Sequence, residues 1–438
     1  MPVKLWDRYS LASLVENKQD SRGCLFLSSL GQRNLDAVTI LHEGVDTIRQ
    51  LYHGLLKPDV LDELKASWEL GPGAGGRGRL VNLLGREWLL GSGGKSGYRY
   101  RLQDNDLGLI LFIHSRYAVE TVPDSHLKIE LSPHFIDERK TGSIQGYMNN
   151  LAARLLVDPR PTGCAVHICV DVQGWEPPKN FFDLLVTRSK RRVDHRGISE
   201  AQFSMSELAT VYGASQSYLF GLASELQFSL YRKDLQAKAI DKLHFWQPVW
   251  ERRTDEYFKP LYDHDKPVWR FEFRFHHSVI NEFGDFIHEP LHTFTDVVDH
   301  LTGLLRYGLE NFRLHPVSAS GRPSKTYIDP MWQLLLQDVQ IHGPDPGLDY
   351  RRSRKGPGMG NMRNVRNVVG NMLSLYACYG ISPLDAVKLL MQSGIWEDIK
   401  VMIRSKFKQV MTDDQVKARF TDQVTEGLRI RTLCGACT

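Results

Sequence analysis

Between Val268 and Phe275 the chain alternates apolar and charged residues. An extended strand there places Trp269, Phe271, Phe273 and Phe275 on one face and Arg270, Glu272 and Arg274 on the other. A carboxylate between two guanidinium groups suits phosphate chemistry, because the planar fork matches two oxygens and a carboxylate can hold a cation or a proton. The same three residues can instead close on one another as a ladder of ion pairs on a solvated face.

Three further segments repeat the pattern. In Cys164 to Val172 the alternate positions 164, 166, 168, 170 and 172 are apolar, which sets His167, Cys169 and Asp171 on the opposite side. In Leu226 to Tyr231 the apolar set is Leu226, Phe228 and Leu230, so Tyr231 shares a face with Gln227 and Ser229. Leu127 to Leu131 likewise turns Lys128 and Glu130 away from its aliphatics. Placed side by side in one sheet, these strands bring Glu130, Asp171, Tyr231 and Glu272 to one region. Three carboxylates converging on a point repel one another unless a hard divalent cation with oxygen ligands sits between them.

The elements that must position these residues are mixed strands and helices, an order that reads as an α+β or α/β domain. Apolar spacing predicts helices over 51–68, 144–156, 180–189, 236–246 and 294–312. The last hundred residues favour helix at 331–339, 366–379, 383–392 and 397–410, with a linker composition near 315–323. The expected organisation is a mixed, glycine-rich N-terminal region at 1–97, a catalytic domain at 98–313 and a helical C-terminal domain at 314–438 that binds DNA or a partner. A chain of 438 residues is long enough for two or three such cores.

Bulk composition narrows the class. With 55 basic and 51 acidic residues the net charge is only +4, so clusters are more informative than the total. Six cations and no acid lie between Arg351 and Arg366, interleaved with Gly, Asn and Pro, a composition that can follow a phosphate backbone. A second basic run spans Arg188 to Arg196. No segment reads as a membrane span or a secretory signal, which points to a cytosolic protein. The six cysteines are too scattered for a disulfide framework, and Cys434 and Cys437 offer only half of a zinc site. Gly91 to Ser96 resembles a phosphate loop but has Leu89 where that motif needs its first glycine.

The stretch from Tyr218 through Gly221, Ser224 and Tyr231 to Lys233 resembles the replication initiation factor family, which starts rolling-circle replication of small plasmids, phages and integrating elements. Leu127–Leu131, Val166–Asp171 and Trp269–Arg274 are similar to its other strand motifs, in the same order over about residues 98–290. The chain departs from the family pattern at Ala165 and His167, where an Arg-x-Asp is usual, and at Leu222 and Ala223, which replace a polar pair. The resemblance implies an α+β, relaxase-like fold, a central antiparallel sheet with flanking helices, and a site-specific endonuclease that nicks one strand at an origin, leaving a 5′-phosphotyrosine and a 3′-OH primer. It implies Tyr231 as nucleophile with Lys233 beside it, and Glu130, Asp171 and Glu272 as ligands of Mg²⁺ or Mn²⁺, with His167 a fourth ligand or a partner of one. Arg270 and Arg274 would contact phosphate, and Arg351, Arg352, Arg354 and Lys355 would bind DNA. The partners so implied are single-stranded or hairpin origin DNA, a helicase and a second copy of the chain, in a bacterial cytoplasm. A conjugative relaxase with the same chemistry and a non-catalytic DNA-binding protein are the competing readings.

Overall fold

The computed structural model describes residues 18–20, 23–25, 35, 38–70, 79–194, 197–200, 209–213, 215–315, 328–352, 360–407 and 411–433. Its centre is an eleven-stranded antiparallel sheet. In chain order the strands are β1 (Thr39–Leu56), β2 (Arg79–Leu83), β3 (Arg86–Ser92), β4 (Tyr98–Asp104), β5 (Leu109–Ser115), β6 (Asp124–Leu131), β7 (Leu156–Gln173), β8 (Arg192–Asp194), β9 (Ser217–Gly221), β10 (Leu226–Arg232) and β11 (Trp269–Phe275). Their order across the sheet is β8-β9-β10-β11-β7-β1-β6-β5-β4-β3-β2.

One face carries the main core. Phe228, Phe271 and Phe273 are fully buried there with Val166, Ile168 and Val170, and each such side chain contributes about 1.5–3 kcal/mol through its removal from water. Helices α1 (Pro58–Glu69), α2 (Thr141–Leu155), α5 (His277–Ile287), α6 (Leu301–Asn311) and α7 (Pro330–Asp338) join that core through residues such as Leu64, Met148, Phe283, Leu305 and Trp332. Two shorter helices, α3 (Lys233–Ala239) and α4 (Leu243–Glu251), build a separate cluster in which Ala237, Trp246, Val249 and Trp250 meet Leu41, Tyr262 and Val268.

The chain divides into two compact units, Met1–Arg352 and Ser353–Thr438. This corrects both expected boundaries. The segment 1–97 is not a region apart, since β1 is a central strand and β2 and β3 complete one edge of the same sheet. Residues 314–352 belong with the sheet, because Leu314, Trp332 and Tyr350 are buried in its core. The second unit is helical, with α8 (Gly360–Cys378), α9 (Pro383–Gln392), α10 (Trp396–Phe407) and α11 (Asp413–Leu433) sharing a core of Leu373, Leu390, Ile403, Phe420 and Val424 among others. None of the described helices is long and apolar enough to cross a membrane.

Several helix expectations are corrected by local causes. Residues 51–68 form the end of β1 and then α1, which starts at Pro58, where the missing amide hydrogen costs nothing. The 236–246 helix is broken at Asp241, whose φ of 53° lies in the left-handed region that ends α3. The 294–312 helix is two helices, Phe294–Val298 and α6, and within 180–189 a single turn at Phe181–Leu184 passes into the strand Leu185–Thr187. The expected linker, apart from His315, and the Cys434–Cys437 pair lie outside the described residues.

Candidate active site

The other face of the sheet holds the charged residues of β1, β6, β7, β10 and β11. Antiparallel pairing sets Arg270 directly opposite Asp171 on β7 and Tyr231 on β10, while Glu272 lies opposite Cys169 and Ser229. Tyr231 and His167 therefore approach Glu272 along the diagonals, a separation that long side chains span.

At one end Arg270 is completely buried and pairs with two carboxylates. It donates from Nε and Nη2 to the two oxygens of Asp171 at 2.6 Å each, and from Nη1 to Oδ1 of Asp46. The Trp250 indole N–H donates to Asp171 Oδ2 at 2.9 Å, and the guanidinium carbon sits 4.1 Å from the centre of the Trp246 ring. Burial alone would raise the Asp171 pKa, but Arg270 outweighs it and holds the carboxyl below its usual range.

Two residues along β11, Glu272 has a different set of neighbours. It accepts from Arg274 Nε at 2.8 Å and Nη2 at 3.1 Å, and from the Tyr231 hydroxyl at 2.9 Å, and His167 Nδ1 stands 3.1 Å from Oε1. Burial opposes its charge, yet Arg274 and His167 hold it ionised, with a pKa well below the ordinary carboxylate value. Burial, followed by the Glu272 charge, pushes the Tyr231 phenol well above its ordinary value. Burial and Arg49 keep the His167 imidazole below its ordinary pKa and so neutral, the form that binds metals.

Among the described residues, Asp46, His167 and Glu272 form a buried group whose ligand atoms all lie within 4.8 Å of one another, and this group could hold a metal ion. Two carboxylates and a neutral imidazole fit a divalent cation. Of the sequence-expected ligands, Glu272 and His167 are in this group and the other two are not. Asp171 accepts from Arg270 and Trp250 and is not among the three residues whose ligand atoms come together. Glu130 pairs across the sheet with Arg49, at 2.8 and 3.4 Å, and stands apart from the group.

Asp46 was missed in the sequence, and the reason is a β-bulge. Val45 pairs with Ile168 and Thr47 with His167, leaving Asp46 as the extra residue and turning its carboxylate to the charged face. Further register shifts along β1 place its buried apolar residues at Leu41, Val45, Ile48, Tyr52 and Leu56, which is helical spacing on a strand. An aspartate inside that run was the available signal.

The remaining expected residues are placed as follows. Lys233 does not continue the strand; it starts α3, and its Nζ donates to Gln236 at 2.7 Å and stands 4.0 Å from Asp46 Oδ1. Burial and then Arg270 push its pKa down to about 8. Arg270 and Arg274 are committed to carboxylates, which corrects their assignment as direct phosphate contacts. Arg351 is exposed and pairs with Asp349, and Arg352 bonds to Glu282 and pairs with Glu225. Arg354 and Lys355 lie outside the described residues.

Side-chain exposure grades along the face, from 0% at Arg270 through 3% at Glu272, 9% at His167 and 13% at Arg274 to 32% at Arg49. The open approach to the Glu272 group is therefore from the Arg49–Arg274 side. Across the whole face Arg49, Lys128, Lys233, Arg270 and Arg274 stand against Asp46, Glu130, Asp171 and Glu272.

No family model matches the chain. A relative 36% identical over 397 residues, covering 86% of this chain and 87% of its own length, is the uncharacterized protein ORF430 of Pseudomonas phage Pf1.

Proposed function

The chain belongs to the family that includes ORF430 of Pseudomonas phage Pf1, and we propose for it a metal-assisted, tyrosine-dependent nicking and joining of DNA at a replication origin. The observation that carries this reading is the Tyr231 hydroxyl donating at 2.9 Å to a carboxylate that also belongs to the Asp46–His167–Glu272 group. A phenol is a weak nucleophile when protonated, and it needs both a proton acceptor and nearby positive charge. Glu272 supplies the first. A divalent ion, Mg²⁺ or Mn²⁺, bound by the three residues would neutralise phosphate charge and favour the phenolate.

In the proposed step the Tyr231 oxygen attacks phosphorus while its proton passes to Glu272. The P–O3′ bond breaks, leaving a 5′-phosphotyrosine; the departing O3′ takes a proton from solvent to become the 3′-OH primer, and Glu272 returns its proton to solvent. Lys233, near neutrality in pKa and close to Asp46, steadies developing negative charge. Arg274 positions Glu272 rather than the phosphate. Arg49, paired with Glu130 but at the open edge, is the most accessible of the three guanidinium groups. The phage source of the relative is compatible with this reading, and the site of action would be the bacterial cytoplasm.

The test is a denaturing gel of protein incubated with a single-stranded origin oligonucleotide and Mn²⁺. The wild type should give a covalent adduct, and Tyr231→Phe should give none while still binding the oligonucleotide. A Tyr231→Phe protein that nicks normally removes the assignment.

A further inference from the structure

The charged face continues past Arg49 to Lys128 on β6. Leu51 pairs with Gly163 on one side and with Lys128 on the other, so Lys128 lies two strands over and four residues along from His167, toward the open end. Its ammonium rests on an aromatic floor, 4.0 Å from the centre of the Phe112 ring and 5.6 Å from that of Tyr98. Those two rings and Ile110 form a small buried cluster of their own on this face, since Phe112 and Ile110 stand opposite Lys128 and Glu130. A ring replaces only part of the hydration that a half-buried ammonium gives up. Burial accordingly lowers the Lys128 pKa from 10.5 to about 8.

The neighbouring charges are already paired. Arg49 bonds Glu130, and Arg274 bonds Glu272. Lys128 makes no hydrogen bond or ion pair with any described residue, and the carboxylate whose charge it feels, Glu130, is the one that Arg49 holds. From the other side of the row His277 packs against Gly163, with the His276 ring centre 4.1 Å from its own. Burial, with Lys128 contributing to each, lowers both histidines to about 4, so neither adds a charge near neutral pH. Lys128 is thus the cation of the open end that lacks a counter-ion among the described residues.

We infer that Lys128 holds a backbone phosphate of the DNA strand, a few nucleotides from the phosphate that Tyr231 attacks. The inference rests on the nicking function proposed above and extends it to how the strand crosses the face. With ~4.8 Å between strands and ~3.3 Å per residue along them, Lys128 and His167 are about 16 Å apart at the backbone. That is too far for one phosphate to meet both, and a strand laid from the Glu272 group over Arg49 reaches Lys128 at the open end. A half-buried ammonium without a counter-ion gains most from a full negative charge with accessible oxygens, and the nicking substrate carries one at every nucleotide. The contact reads no base, so it positions the strand whatever its sequence.

The test pairs Lys128→Met, which keeps an apolar stem over Phe112 and removes the charge, with single-stranded oligonucleotides in which one linkage at a time is a neutral methylphosphonate. For the wild type, neutralising one linkage to one side of the Tyr231 target should weaken binding about ten- to a hundredfold. Lys128→Met should lose the same factor on the unmodified strand and nothing further when that linkage is neutral. Its slope of log K against log [salt] should flatten by about 0.7, and its thermal midpoint should hold or rise. Lys128→Arg should keep the wild-type pattern. A wild type that forms the Tyr231 adduct, but whose losses are matched by Lys128→Met at every linkage, would overturn the Lys128 contact alone. Inorganic phosphate binding that disappears in Lys128→Met while the linkage scan is unchanged would make this a free-anion site and overturn the DNA contact. A wild type that neither binds nor is labelled by the oligonucleotide would overturn it together with the nicking reading.

Discussion

Two arginine–carboxylate pairs share one face of the sheet, their arginines four residues apart on β11, and they have opposite characters. Arg270 closes both oxygens of Asp171 and also reaches Asp46, with tryptophans against the guanidinium and the carboxylate, and it is wholly removed from water. Arg274 holds Glu272 but leaves it shared with a phenol and an imidazole, toward the open edge of the face. A carboxylate saturated by a guanidinium and an indole is a structural fixture. One whose partners can themselves lose or exchange protons, beside a second acid, is equipped for chemistry. The pattern Arg-x-Glu-x-Arg on the strand does not distinguish them.

The largest expected effect breaks the closed pair. Arg270→Leu strands Asp171 and Asp46 as buried charges and should lower the free energy of unfolding by about 3–5 kcal/mol in urea titration. Arg274→Leu should cost markedly less, because its side chain is nearer solvent; equal losses would make the two pairs equivalent.

Metal binding sharpens the other pair. Mn²⁺ at a hundred times its Kd should stabilise the fold by about 2.7 kcal/mol, read as a raised thermal midpoint. Glu272→Gln and His167→Ala should abolish the rise. Asp171→Asn, although destabilising in itself, should preserve it, and a rise that disappears in Asp171→Asn instead would return that residue to the ligand set.

Each pair also has a titrating histidine beside it. Burial, opposed by Asp171, lowers the pKa of His42 from 6.5 to about 4. The unfolded chain takes up this proton near 6.5 and the folded one only near 4, so unfolding binds a proton across that window. His42 thus contributes stability that is complete above about pH 6.5 and declines as pH falls toward 4. Urea midpoints should fall over that range, and His42→Gln should flatten the decline. His167 is lowered in the same direction, so Mn²⁺ affinity should weaken with acid as its imidazole protonates.

The smallest effect concerns the basic cluster that begins at Arg351. Replacing Arg351, Arg354 and Lys355 with Ala should leave the adduct reaction of a short oligonucleotide unchanged and flatten the salt slope of duplex binding by up to about 0.9 for each phosphate no longer neutralised. An unchanged slope would mark the cluster as a solvated loop. Arg352 is left out of this variant because it already bonds Glu282.

Strand alternation alone determined a good deal of this protein. It sorted Trp269 to Phe275, Cys164 to Val172 and Leu226 to Tyr231 into a core face and a charged face, because side chains on a pleated strand have only two directions available. It also placed Tyr231, His167 and Glu272 on the face opposite the core, and the helices at 366–379, 383–392 and 397–410 were legible because residues three and four apart share a helix face, whereas Asp413–Leu433 was not read. Only the tertiary structure decided how the charges pair. Cross-strand register matched Arg270 to Asp171 and Arg49 to Glu130, removing both carboxylates from the metal group. A bulge turned Asp46 into that group, and further register shifts gave the end of β1, at 51–56, the spacing of a helix. Register and bulges are relations between strands distant in sequence, and local periodicity carries no record of them.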